Sequence, residues 1–215
     1  MFDPQRVKLL ADRVRPTASS QTRLLPVLSP LAALLPDGGL RRGTAVRCGA
    51  GAHGGALSLA LALAAGPSAA GAWCAVVGVE DLGALAAAGL GVNLDRLAVI
   101  RAASPHWALA TGILVDGVDV VIVAPPPRPR PSAVRTLAAR ARDRGAVLLV
   151  VGERGSWAAD HELVVEQSNW HGLADGAGRL QARRVTVVAS GRGSAVRPVR
   201  QELWLPAATG NVVAA

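Results

Sequence analysis

Residues 39–206 predict one α/β domain: a mainly parallel sheet flanked by helices, closed by antiparallel strands at its C-terminal end. Three features carry this expectation. Short, continuous apolar runs at residues 44–48, 73–79, 97–101, 118–123 and 146–151 alternate with helical stretches, the pattern of parallel strands covered on both faces. A glycine-rich segment, CGAGAHGGAL at residues 48–57, joins the first run to an Ala/Leu helix. After Gly152 the rhythm changes, and residues 163–166, 183–189 and 200–205 alternate one by one, as antiparallel strands with one wet face do.

The elements follow in order. Asp3 and Pro4 read as an N-cap and first helical position, and Val7, Leu10, Ala11 and Val14 repeat at helical spacing, so residues 2–15 predict a short amphipathic helix. Residues 15–36, rich in Pro, Ser and Leu, read as an irregular lead-in, and Asp37, Gly38 and Gly39 as a turn. The helix after the glycine segment, residues 56–65, is apolar on every side and is expected to be buried, closing at Gly66 and Pro67. Further helices are expected up to residue 88, from Ser104 and Pro105 to 115, and over 131–144. Gly191 to Gly193 supply a turn between the last two strands. Residues 207–215 have little to bury and read as a flexible tail, and residues 1–38 as an N-terminal helix and lead-in.

Composition narrows the class. The 215 residues suffice for one sizeable core and hardly for two. No uninterrupted apolar stretch reaches the length of about 20 residues that spans a bilayer, and the charged N-terminus lacks a small-residue cleavage site. A cytoplasmic protein is the expectation, with Cys48 and Cys74 as reduced thiols inside strands. The formal charge of +8 is almost wholly arginine. Such a surface attracts anions, nucleic acid included, although scattered arginine is equally a means of solvation.

Strand, glycine loop and helix in that order form a phosphate cradle when the loop reads G-x-x-x-x-G-K-[ST]. Gly49 and Gly54 have the required spacing, but Gly55 stands at the lysine position and Ala56 at the Ser/Thr position. Glycine and alanine can neither meet a β/γ-phosphate as a cation nor hold Mg²⁺. The chain's sole lysine is Lys8. Gly49, Gly51, His53, Gly54, Gly55 and Ala56 therefore read as a degenerate phosphate loop, for which no cofactor and no metal are expected.

The succession GLRRGTAVRCGAGAHGG, WCAVVGVED, LGVNLDRLAVI, VDVVIVAPP and RARDRGAVLLVVG resembles the RecA-type recombinase core, over about residues 39–206. That resemblance implies a RecA-like P-loop fold. It also places Ala124 where the family has the Walker B aspartate, and Glu80 where it has the glutamate that orients the attacking water. Glu80 reads equally as a favourable charge at a helix start. The lead-in LPVLSPLAALLPDGGLRRG, the degenerate loop, the segment VDVVIVAPPPRPRPSAVRTLAARARDRGAVLL and the ending from WHGLADGAGRL to RQELWLP are similar to actinobacterial ImuA-type proteins. This narrower resemblance implies an accessory role in the SOS mutasome. The implied partners are ImuB, a Y-family polymerase-like protein, and through it an error-prone C-family DNA polymerase.

A charge-assisted hydrogen bond contributes about 1.5–3 kcal/mol, and phosphoryl transfer needs several at once around developing charge. Losing lysine, hydroxyl and Walker B acid together predicts that hydrolysis is lost, and the ImuA-type resemblance then implies a non-catalytic adaptor that binds an ImuB-type protein. An ATP-independent single-stranded DNA-binding module and a weak ATPase built on Glu80 are the competing expectations. For partner contact the candidates are Trp157 and Trp170, with a basic face of Arg183, Arg184, Arg192, Arg197 and Arg200. Arg128 and Arg130, in the proline-stiffened PPPRPRP segment, are candidate DNA contacts or plain solubilising charges. The N-terminal helix is expected to dock either on another subunit or on its own core.

Overall fold

The apolar runs become strands of one large sheet in the computed structural model, which describes residues 3–13, 23–52, 54–102, 105–153, 157–174, 177–191 and 197–215. Of the positions singled out in the sequence, Val14, His53, Ser104, Arg192 and Gly193 lie outside the described residues. The strands are β1 (Leu24–Pro26), β2 (Gly39–Arg41), β3 (Ala45–Ala50), β4 (Cys74–Val77), β5 (Leu97–Ile100), β6 (Val120–Val123), β7 (Val147–Val151), β8 (His161–Ala174), β9 (Ala177–Gly191), β10 (Val199–Trp204) and β11 (Val213–Ala214). The helices are α1 (Pro4–Arg13), α2 (Ser29–Ala32), α3 (Ala56–Ala69), α4 (Ala84–Gly89), α5 (Trp107–Val115) and α6 (Pro131–Arg144).

Among the described residues the main sheet has nine strands in the order β11-β10-β9-β8-β3-β7-β6-β4-β5. From β8 to β5 all neighbours run parallel, and β9, β10 and β11 add antiparallel. The protein is thus a mixed α/β fold whose mostly parallel sheet is flanked by helices. Alternate residues of each central strand feed opposite layers: Val76, Ile122 and Leu149 pack with α3, whereas Val77, Val121 and Leu148 pack with α5 and α6. Helix α3 is enclosed along Leu59 to Ala65, which explains its lack of a polar stripe.

Several expectations are corrected. The lead-in carries regular structure, since β1 pairs antiparallel with β2 and α2 lies between them. Helix α3 does not close at Gly66 and Pro67 but runs on to Ala69. Gly66 is there because the chain leaving β1 crosses it; a Cβ would lie 2.6 Å from the Pro26 carbonyl oxygen and 2.7 Å from Val27 Cα. Trp170 and His171 stand inside β8 rather than in a turn, within a long hairpin that pairs from His161 opposite Gly191 to Ala174 opposite Ala177. The C-terminal tail is docked: Ala207 and Val212 are buried and β11 pairs with β10. Of the two expectations for the N-terminal helix, α1 follows the second and folds back on its own core, with Val7 buried beside α5 and Ala11 so close to Gly117 that a Cβ there would lie 2.5 Å from the Ala11 carbonyl oxygen.

Polar groups tie the amino ends of the strands together. Buried Asp119 accepts from Arg42 Nη2 at 2.9 Å and from the Trp73 amide at 3.1 Å, while its own carbonyl accepts from the Val147 amide at 2.8 Å. One carboxylate thereby holds the chain before β3 and the entry to β4 beside the start of β6.

Cys48 and Cys74 are fully enclosed, and burial pushes both thiols up to about 12. Thiolate is the reactive form. A thiol-specific chromogenic reagent at pH 8 is expected to titrate neither cysteine in the native protein and both after denaturation. Because the folded values lie above the ordinary 9.0, the unfolded chain releases these protons first, so stability falls as pH rises from about 9 towards 12. Prompt labelling of the native protein would contradict this packing. No helix among the described residues is long and apolar enough to cross a membrane.

Candidate functional site

Strand β3 delivers the chain to the glycine loop at the carboxyl end of the sheet. The Gly51 amide donates to Val165 of β8 at 2.9 Å, and the Gly54 amide turns back to the Gly51 carbonyl at 3.1 Å. Gly54 and Gly55 follow with φ of 69° and 116°, backbone that favours glycine, and Gly55 caps α3. The helix start has no side-chain cap and no acid in its first turn. The first amides of α3 are therefore left to whatever the loop brings near them.

What comes near is an arginine of the same chain. Arg183 on β9 sits opposite Trp170 on β8, and the hairpin carries it over the loop. Its Nη2 donates to the Gly54 carbonyl at 2.6 Å, its Nε to Ser168 Oγ at 2.6 Å, and its guanidinium carbon stands 5.4 Å from the Trp170 ring centre. A Cβ at Gly55 would lie 2.6 Å from Arg183 Nη2. The space that a side chain needs at the lysine position is thus filled by a guanidinium from elsewhere. Burial pulls the Arg183 pKa below the ordinary arginine value.

A second arginine explains a second glycine. Arg47 of β3 is buried, donating to the Gly152 carbonyl at 3.1 Å and pairing with Glu162 at 3.0 Å, and a Cβ on Gly49 would collide with its Nη1. The cleft beside Ala50, Gly51 and Ala52 encloses about 730 Å³, and Glu153, Glu162 and Glu166 line it. Arg47 lines it too, and Glu162 and Glu166 are paired with Arg47 and Arg200.

The other predicted positions separate. Glu80 and Ala124 do meet: with Arg101, Trp107 and Pro125 to Pro127 they line a cleft of about 380 Å³ beyond the ends of β4, β5 and β6. Arg128 and Arg130 are exposed beside it. Trp157 is not a surface anchor; only 2% exposed, it packs edge-on against Trp107 with ring centres 6.3 Å apart. Trp170 is 46% exposed. The basic face is broken up. Arg183 shares the inner face with core residues Val185 and Val187, whereas Arg184 and Arg200 lie on the outer face, paired with Glu202 and Glu166. Arg197 is exposed.

Residues 33–159 match the family model described as the MT3502 N-terminal domain. The chain belongs to that family. It is also 40% identical over 108 residues to the uncharacterised protein Rv3395c of Mycobacterium tuberculosis, an alignment covering 50% of this chain and 52% of that protein. The chain thus spans about half the length of the curated relative it matches. The family segment takes in the glycine loop, Glu80, Ala124, Arg128, Arg130 and Trp157, and stops before β8. Arg183 and Trp170 lie beyond it.

Sequence reasoning missed Arg47, Asp119 and the inward role of Arg183. Arg47 and Asp119 each had a signal: a lone charge inside an otherwise apolar strand run must be paired when that strand is buried.

Proposed function

We propose that this chain is a non-catalytic adaptor of ImuA type with a RecA-like core, acting in the cytoplasm by protein contact during damage-induced mutagenesis. Its partner on this reading is an ImuB-type protein and, through that, an error-prone C-family DNA polymerase. The observation that carries the reading is the state of the phosphate loop. Glycine stands at the lysine position, the Arg183 guanidinium fills the adjoining space and bonds the Gly54 carbonyl, and Ala124 follows β6 where a metal-positioning acid is needed. Such a loop is completed by its own chain, so a triphosphate meets neither a free cation nor a hydroxyl for Mg²⁺. Strand, glycine loop and long helix remain in the motor order, which supports an inherited shape put to another use.

Co-expression with ImuB tests the role. The two proteins are expected to co-purify without nucleotide, and to do so with Gly54→Ala, a change that meets nothing within 4 Å but strains a backbone at φ +69°, so the variant's fold is checked by circular dichroism first. Failure to associate under any condition would remove the assignment. A DNA-binding reading is favoured by the exposed Arg101, Arg128 and Arg130 at the carboxyl end of the sheet. It requires single-strand affinity that drops steeply with salt.

A further inference from the structure

The two edges of the main sheet are finished differently. At one edge β11 is only two residues long, which leaves little to pair with. At the other, β5 presents Leu97–Ile100 and is bonded to β4 alone among the described residues. Exposed edges are ordinarily blunted by charge, proline or a bulge. The LAVI sequence of β5 has none of these. Instead, apolar side chains stand open there: Val99 is 42% exposed, and Leu94, in the turn leading into β5, is 42% exposed.

We propose that β5 is a self-association edge, on which a second copy of this chain pairs antiparallel about a two-fold axis perpendicular to the sheet. The charges around the strand argue for a copy of itself. Asp95 precedes β5 and Arg101 follows it; both are exposed, and neither is in an ion pair among the described residues. A perpendicular two-fold keeps each face of the sheet on its own side, so residues can only pair with residues of the same face. Leu97 packs on the α3 layer and Ala98 and Ile100 on the opposite one, which places Val99 on the face of Leu97. Setting Ala98 opposite its own copy satisfies that rule. It puts Leu97 against the partner's Val99 twice and brings Asp95 alongside the partner's Arg101 twice. Sliding by two residues sets Leu97 opposite either itself or the partner's Arg101, and both charge pairs are lost. The stretch D-R-L-A-V-I-R is therefore self-complementary in one register, as a closed two-fold interface requires.

Sedimentation velocity on the full chain tests this. A concentration-dependent dimer is expected, and Val99→Lys, which places a charge on the edge, should leave only monomer. Asp95→Arg removes two symmetry-related pairs and should weaken dimerisation about tenfold. The double exchange Asp95→Arg with Arg101→Asp should restore it, a recovery that general destabilisation cannot produce. Far-UV circular dichroism checks that each variant is folded, and the exchange series decides alone if Val99→Lys is not. A monomer at every soluble concentration, or a dimer indifferent to the exchange, would overturn the proposal.

Discussion

Asp119→Ala is expected to lower the stability of the domain by about 3–5 kcal/mol, the cost of leaving a buried charge without its partner. The carboxylate is almost wholly enclosed, and its loss strands two donors, the Arg42 guanidinium and the Trp73 amide. Arg42 keeps only a long contact of 3.3 Å to the Gly145 carbonyl. Asp119→Asn retains an acceptor and should recover part of the loss. Removing both charges, as in Arg42→Met with Asp119→Leu, should cost less than Asp119→Ala alone, since a buried pair replaced by apolar groups is often close to neutral. Urea unfolding at constant slope reads these differences from the midpoints. A loss under about 1 kcal/mol for Asp119→Ala would mean that the pair is open to water.

Trp157→Ala is expected to cost about 3–5 kcal/mol, because a large core side chain is removed and its cavity closes only in part. The ring fills the layer formed by α5, β6 and β7 and meets Trp107 edge-on. Trp157→Phe should keep most of that packing. Trp170→Ala provides the contrast: half-exposed, it should cost no more than about 1 kcal/mol through the lost stacking on Arg183. Equilibrium unfolding of the three variants separates these outcomes, and a Trp157→Ala protein as stable as the parent would restore that residue as a surface anchor.

The parallel half of the fold was legible because its strands are short apolar runs bounded by turn residues, and α6 spans the residues 131–144 expected of it. Three features were not. The sequence 24–26 is too short and too mixed for periodicity to distinguish a strand from a loop, and only its pairing with Gly39–Arg41 makes it one. Gly66 and Pro67 carry a helix-stop signal that the close crossing of Val27 overrides. In the hairpin, alternation identified strands but not their inner face at the end of the sheet. Arg183 therefore read as solvated when it lies over the glycine loop. The vacancy at the lysine position was visible in the residues themselves, whereas its filling by an arginine 128 positions later, 183 − 55, depends on tertiary structure alone.

Titration with Mg·ATP, followed by thermal denaturation of the purified full chain, bears most directly on the claim that the glycine loop is occupied by its own arginine. A ligand present at a hundredfold its dissociation constant adds about 2.7 kcal/mol and would raise the melting temperature of a domain this size by about 5–10 °C. The account predicts no saturable rise with Mg·ATP, and the same null result with Mg·ADP. A saturable rise that disappears when Mg²⁺ is withheld would contradict it.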